Sequence, residues 1–156
     1  MFWLILSLSF PSYFTAQQTS MAHTIVEKAR HVGDDPYLLV ATAWVESRLN
    51  PFSVSKTNDY GLFQINWTFW GRKWGYKDRK SFYKDMSNPY HATVAAMIVF
   101  KEMRKYKSCQ GLNLPACYNG GPGWPKSKNK DKILAYANKV NRLRIQYKKR
   151  FPHWVR

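Results

Sequence analysis

Acidic residues are scarce in this chain: nine Asp and Glu stand against 25 Lys and Arg in 156 residues, leaving a formal charge of +16. A surface this positive favours polyanions, whether nucleic acid, anionic lipid headgroups or an anionic cell-wall polymer, and charge alone does not choose among them. Cysteine is nearly absent as well, with Cys109 and Cys117 the only two. Two thiols with no clustered histidine make a poor metal site. Around Gly111 and Pro115 they can close a small loop in an oxidising compartment, or they can stay buried as free thiols. No metal or organic cofactor is implied. Helix-turn-helix, zinc-finger and RNA-recognition signatures are missing, which ranks a nucleic-acid module last and argues against a specific nucleic-acid partner. Internal repeats and linkers are also missing, so a single domain is expected.

Long apolar runs are missing too. The one candidate, FWLILSLSF at 2–10, has nine residues and is too short to span a bilayer as a helix. With small and polar residues after it, the run reads as the apolar core of a secretory signal, although no Lys or Arg precedes it. Cleavage after Ala22, within SMA, satisfies the small-x-small rule, giving an N-terminal segment 1–22 and a domain 23–156. The competing reading is a buried or frayed N-terminal segment.

What is present is core material: 45% of the residues are hydrophobic and 17% aromatic, enough for one compact fold. A helix is expected over 20–32, ended by Gly33. Asp35-Pro36 supplies a cap followed by proline at the first helical position, and YLLVATAWV then carries no charge on any side, so this second helix is buried all round. Residues 50–66 read as a short hairpin or irregular β segment, and WTFWGRKWGYKDRK as an aromatic and basic loop. Asn88-Pro89 opens another buried helix to about Lys107. CYNGGPGWP reads as loop. From about Asp131, Ile133, Tyr136, Val140, Leu143 and Tyr147 form a core-facing stripe on a last helix. The expected class is mainly α with a small β element.

So few acids permit an elimination. Glu27, Asp34, Asp35, Asp78, Asp85, Glu102 and Asp131 fall at caps, in polar surroundings or beside Lys and Arg. Glu46 does not, because it ends a buried run and precedes Ser47 and Arg48. A carboxyl stripped of water keeps its proton to higher pH, as a general acid requires. The blander reading pairs Glu46 with Arg48 or a nearby Lys at the surface.

Four ordered stretches, ESRLNP at 46–51, GLFQIN at 61–66, CYNGG at 117–121 and YANKV at 136–140, together resemble the soluble lytic transglycosylase family, over approximately residues 20–147. The resemblance implies a lysozyme-like fold related to the goose-type lysozymes. It also implies cleavage of the β-1,4 bond between N-acetylmuramic acid and N-acetylglucosamine in peptidoglycan, with a 1,6-anhydro product. Glu46 matches the catalytic acid, which then acts as base. Ser47, Gly61, Gln64, Asn66, Tyr118, Asn119 and Tyr136 match positions that contact substrate or the acid, although Cys117 replaces the more usual Ala. Gly61 is expected to let backbone approach a sugar, and the amides of Gln64 and Asn66 suit hydroxyl and acetamido groups.

DYGLFQINWTFW also resembles the corresponding stretch of chicken-type lysozymes, in which the DYG aspartate is a second carboxylate. A hydrolytic muramidase using Glu46 and Asp59 is therefore the alternative, its carboxyls about 5 Å apart. Asn58-Asp59 is equally good turn chemistry, and Asp59 is read as a turn or auxiliary residue. A third possibility is a non-catalytic cell-wall binder, which has no need for Glu46. Trp67, Trp70, Trp74 and Trp124 offer flat faces to sugars or pack in the core. The basic C-terminal stretch can meet an anionic membrane or be a solvated face. A monomer is expected, exported to the periplasm or outside the cell, or delivered to the wall by a phage. Secretion, conjugation or phage machinery are the settings considered.

Overall fold

In the computed structural model, which describes residues 13–155, the described residues form six α-helices and one very short sheet. The helices are α1 (Ala16–Val32), α2 (Pro36–Ser47), α3 (Arg79–Met86), α4 (Pro89–Met103), α5 (Leu114–Gly120) and α6 (Lys130–Arg150). Strands β1 (Asp59–Tyr60) and β2 (Ile65–Asn66) pair antiparallel, with Asp59 opposite Asn66. A five-residue π-helix (Trp67–Gly71) follows β2, and short 3-10 turns link the later helices. Among the described residues, no helix is long and apolar enough to cross a membrane.

Helix α2 is the axis of the fold. Asp35 caps it by accepting from the backbone of Tyr37 and Leu38, and Pro36 supplies a preset first turn. Every residue from Pro36 to Ala43 is buried, because α1, α4 and α6 all pack against it. The all-round apolar run thus has the environment it calls for. Arg144 of α6 ties down the cap, its Nε 2.8 Å from Asp35 Oδ2. On α6 itself Ile133, Val140 and Tyr147 are buried, while Tyr136 and Leu143 are partly so.

Several expected boundaries differ. Helix α1 begins at Ala16, because Thr15 and Gln18 form a reciprocal capping box. The apolar run 2–10 lies outside the described residues, but Ala22 lies inside α1, so a cut there would remove the first seven residues of the helix. It would also remove Phe14, which is buried among Trp44, Tyr147 and Phe151 at centroid distances of 5.5, 5.8 and 5.8 Å. Residues 14–22 thus pack with the rest of the described residues. The aromatic and basic stretch opens with the π-helix and runs into α3, which is started by the Asp78 side chain accepting from Ser81 N–H. Helix α4 stops at Met103, and CYNG belongs to α5 rather than to a loop. Cys109 and Cys117 are joined as a disulfide, which holds α5 to the preceding turn.

Phe14 gives a test of this packing. Phe14→Ala is expected to lower the free energy of unfolding in urea by about 3 to 5 kcal/mol, as for a large core aromatic. A loss under about 1 kcal/mol would put residues 13–15 outside the cooperative unit.

Candidate active site

Glu46 is the penultimate residue of α2, and the chain turns sharply behind it. Arg48 and Leu49 both adopt left-handed backbone, φ 55° and 60°, which is uncommon for residues with a Cβ. Three contacts hold the reversal. Leu49 is buried, the Ser47 hydroxyl donates to the Leu62 carbonyl at 2.8 Å, and the Gln18 amide of α1 donates to the Arg48 carbonyl at 3.2 Å. The two other non-glycine residues with positive φ among those described, Asn58 and Gln64, adjoin or line the same cleft. Backbone strain is thus concentrated where the acid is aimed.

The cleft has a volume of about 430 Å³ and is lined by Glu46, Ser55, Asp59, Gln64, Ile65, Asn66, Trp70, Val99, Tyr118 and Asn119. Larger surface cavities exist, but Glu46 lines none of them. Glu46 keeps some exposure as a residue, yet its carboxyl is nearly enclosed, and the carboxyl's surroundings set its proton affinity. Burial pushes it from 4.5 up to about 7. The Tyr136 hydroxyl, donating to Oε1 at 2.6 Å, works the other way by favouring the ionised form. The charge of Asp59 adds a smaller upward push. A carboxyl in this state can give up a proton and take one back near neutral pH.

The residues singled out in the sequence divide into two groups. Gln64, Asn66, Tyr118, Asn119 and Asp59 line the cleft with Glu46, and Tyr136 reaches the acid from α6. Ser47 and Gly61 instead build the scaffold. A Cβ on Gly61 would lie 2.1 Å from the Met86 carbonyl oxygen, so the glycine accommodates protein backbone. Gln64 donates its amide to the carbonyls of Ser53 and Gly61. Tyr118 donates to the Phe63 carbonyl at 2.7 Å and stacks on Phe100. Burial, with the Glu46 charge next, holds both Tyr118 and Tyr136 well above the ordinary phenol value, so both remain donors. Asn119 is exposed at the rim, and its amide has no protein partner among the described residues.

Asp59 is more than a turn residue. It opens β1, and its oxygens accept from Ser55, Thr57 and Asn66. Sequence reasoning missed Ser55 and Thr57, and the signal for them was their hydroxyls four and two residues before the acid. It also missed the apolar wall of Ile65 and Val99. Of the four tryptophans, Trp70 lines the cleft, whereas Trp67 packs on Phe82, and Trp124 is buried with its indole N–H donating to the Ser108 carbonyl. Among the described residues no group of His, Cys, Asp and Glu could hold a metal ion.

A family model described as the transglycosylase SLT domain matches residues 23–140. Comparison with curated protein sequences gave no match.

The raised carboxyl sets a sign for stability. Between the unfolded value near 4.5 and the native value near 7 the folded chain holds more proton than the unfolded one, so stability falls as pH rises through that window. The loss is up to about 3 kcal/mol. Glu46→Gln is expected to abolish it, gaining on wild type by about that amount more at pH 8 than at pH 4 in urea unfolding. An equal difference at both pH values would mean that the carboxyl is not held protonated.

Proposed function

Because the chain belongs to the transglycosylase SLT domain family, and is thereby a lytic transglycosylase of lysozyme-like fold acting on peptidoglycan, we propose that Glu46 is its one catalytic acid and base. As acid, Glu46 protonates the oxygen bridging N-acetylmuramic acid to N-acetylglucosamine. As base, it then takes the proton of the muramic 6-hydroxyl while that oxygen closes on the anomeric carbon. The product is a 1,6-anhydro end and no water is consumed. The observation that carries this reading is the enclosed Glu46 carboxyl, raised to about 7 and held by Tyr136. Tyr136 keeps the carboxyl oriented in both protonation states, and Asn119, Gln64 and Asn66 face the sugars from the cleft wall.

Asp59 is assigned an auxiliary part: its fixed charge helps keep Glu46 protonated and stabilises positive charge developing on the sugar ring. A second reading, hydrolysis with Asp59 as nucleophile, is favoured by the presence of both carboxylates in one cavity. Against it, three donors already engage both oxygens of Asp59. Export is supported by the Cys109–Cys117 disulfide, which suits an oxidising compartment. The charge of +16 suits the carboxylates of wall peptides and also contact with an anionic membrane.

Mass spectrometry of fragments released from purified peptidoglycan tests the chemistry. Anhydro ends are expected, with Glu46→Gln lowering release by roughly 100- to 10,000-fold and Asp59→Asn keeping substantial activity. Reducing ends, with Asp59→Asn as damaging as Glu46→Gln, would make the enzyme a hydrolase.

The pH profile tests the assigned acid separately. Activity should fall as pH rises through about 7, where Glu46 loses its proton. Tyr136→Phe removes a bond that favours the ionised form and should move this limb to higher pH. Asp59→Asn removes a like charge and should move it lower. Limbs that stay fixed in both variants would mean that another group limits the rate.

A further inference from the structure

A second cavity, of about 490 Å³, adjoins the cleft. Trp70 lines the one and Trp74 the other, their ring centroids 5.2 Å apart, and on α4 Val99 faces the cleft while Ala95 and Ile98 face the second cavity. Its wall is mostly apolar, formed by Met86, Val94, Ala95 and Ile98, and Ile98 is 47% exposed. One carboxylate stands in it. Asp85 accepts from the Tyr76 hydroxyl at 2.7 Å, and His91 Nδ1 lies 3.5 Å from its other oxygen.

Asp85 lacks the Lys or Arg partner that three carboxylates of this basic chain have. Asp34 has Arg104, Asp35 has Arg144 and Glu102 has Lys105, whereas the only ion-pair partner of Asp85 among the described residues is His91, cationic only when protonated, as His23 is for Glu27. The Asp85 carboxylate helps hold the Tyr76 phenol up at about 12, after burial, so Tyr76 remains a donor and keeps the carboxylate in place. A concave apolar wall, an aromatic face and one carboxylate without Lys or Arg together suit an alkylammonium ion. The methylenes lie on Val94, Ala95 and Ile98, and the ammonium lies beside Asp85 and against the Trp74 ring.

Peptidoglycan carries such a group on its stem peptides, as the side-chain amine of a diamino acid that is free until the stem is cross-linked. A residue three positions along the stem reaches roughly 10 Å from the sugar, enough to leave one cavity for its neighbour. We propose that the Trp74–Asp85 cavity binds the free side-chain ammonium of a stem peptide attached to the strand being cut, so that strands with uncross-linked stems are preferred. This rests on peptidoglycan being the substrate. It makes Asp85 a specificity residue with no part in bond cleavage.

Two measurements separate this proposal from the assignment of Glu46. In the first, the Trp74 indole N–H signal, identified with Trp74→Phe, is followed by NMR during titration with the tripeptide L-Ala-γ-D-Glu-L-Lys or its Nε-acetyl form. The free amine is expected to move the Trp74 signal and leave that of Trp124 in place. Acetylation of the peptide, or Asp85→Asn in the protein, should weaken binding at least tenfold. Asn at position 85 can still accept from Tyr76, so the fold is retained. In the second, KM is measured on uncross-linked glycan strands before and after N-acetylation of the stem amines. Acetylation should raise KM several-fold for wild type and leave it unchanged for Asp85→Asn, with kcat the same in all four cases. General electrostatics predicts the reverse, because acetylation removes a positive charge that a +16 protein repels. A Trp74 signal that both peptides move equally, as for neutral sugar or peptide backbone, or that neither moves up to millimolar concentration, overturns the proposal. Peptide binding without strand cleavage would instead count against the assigned function alone.

Discussion

A buried helix that ends on an acid is the constraint from which the rest of this structure follows. Helix α2 is enclosed by α1, α4 and α6, and its final turn carries the Glu46 carboxyl into a place with little water. Ionisation there is opposed by desolvation, and the carbonyl end of the helix adds a partial negative charge of the same effect. Stability is given up wherever the carboxylate must form, so the neighbouring structure has to hold the arrangement. It does so with the Tyr136 hydroxyl, the Ser47 tie to Leu62, the Gln18 tie to Arg48 and the burial of Leu49. Each comes from a different part of the chain, so the acid is positioned only when the whole domain has folded.

That dependence explains what could be read from the sequence. Helix α2 was legible because its signals are local: an Asp cap, a proline at the first position and an uncharged run. Glu46 was legible because a chain with nine acids leaves few to explain. Tyr136 was legible as part of a stripe and a motif, and its bond to Glu46 joins residues 90 positions apart. The start of α1 was hidden, although Thr15 and Gln18 spell a capping box, because the apolar run before it drew the segment toward a different reading. The scaffold contacts of Gly61 and Ser47 were hidden. Met86 and Leu62 lie 25 and 15 residues away from them, and no periodicity connects such pairs. The hidden helix α3 has the same cause: its stripe has only Phe82 and Met86 to show within eight residues, amid Lys and Arg.

The aromatic and basic stretch shows how one segment serves two cavities. Gly71 admits the Trp67 ring so closely that a Cβ would lie 2.2 Å from it, a contact that joins the two ends of the π-helix. With Trp67 turned into the core, Trp70 is left on the cleft wall and Trp74 on the wall of the adjoining cavity. Lys73 lies over the Trp70 ring at 5.0 Å. A π-helix advances side chains at a different pitch from an α-helix, and such single turns recur where side chains must be aimed.

Asp59 bears on why a chain this basic keeps an acid beside its acid. A carboxylate near Glu46 raises the proton affinity of Glu46, and the same charge favours a ring that becomes positive as the glycosidic bond breaks. Both effects require that the carboxylate be held in place. Donation from Ser55, Thr57 and Asn66 does this by restricting its rotation. The same donors count against nucleophilic attack, which needs an oxygen lone pair free to approach the anomeric carbon. Under the proposed mechanism, the surrounding positive field draws the wall polymer in, while Asp59 supplies negative charge beside the protonated Glu46. Long-range attraction and local chemistry use opposite signs of charge, and the fold keeps them apart by enclosing Glu46 and hydrogen-bonding Asp59.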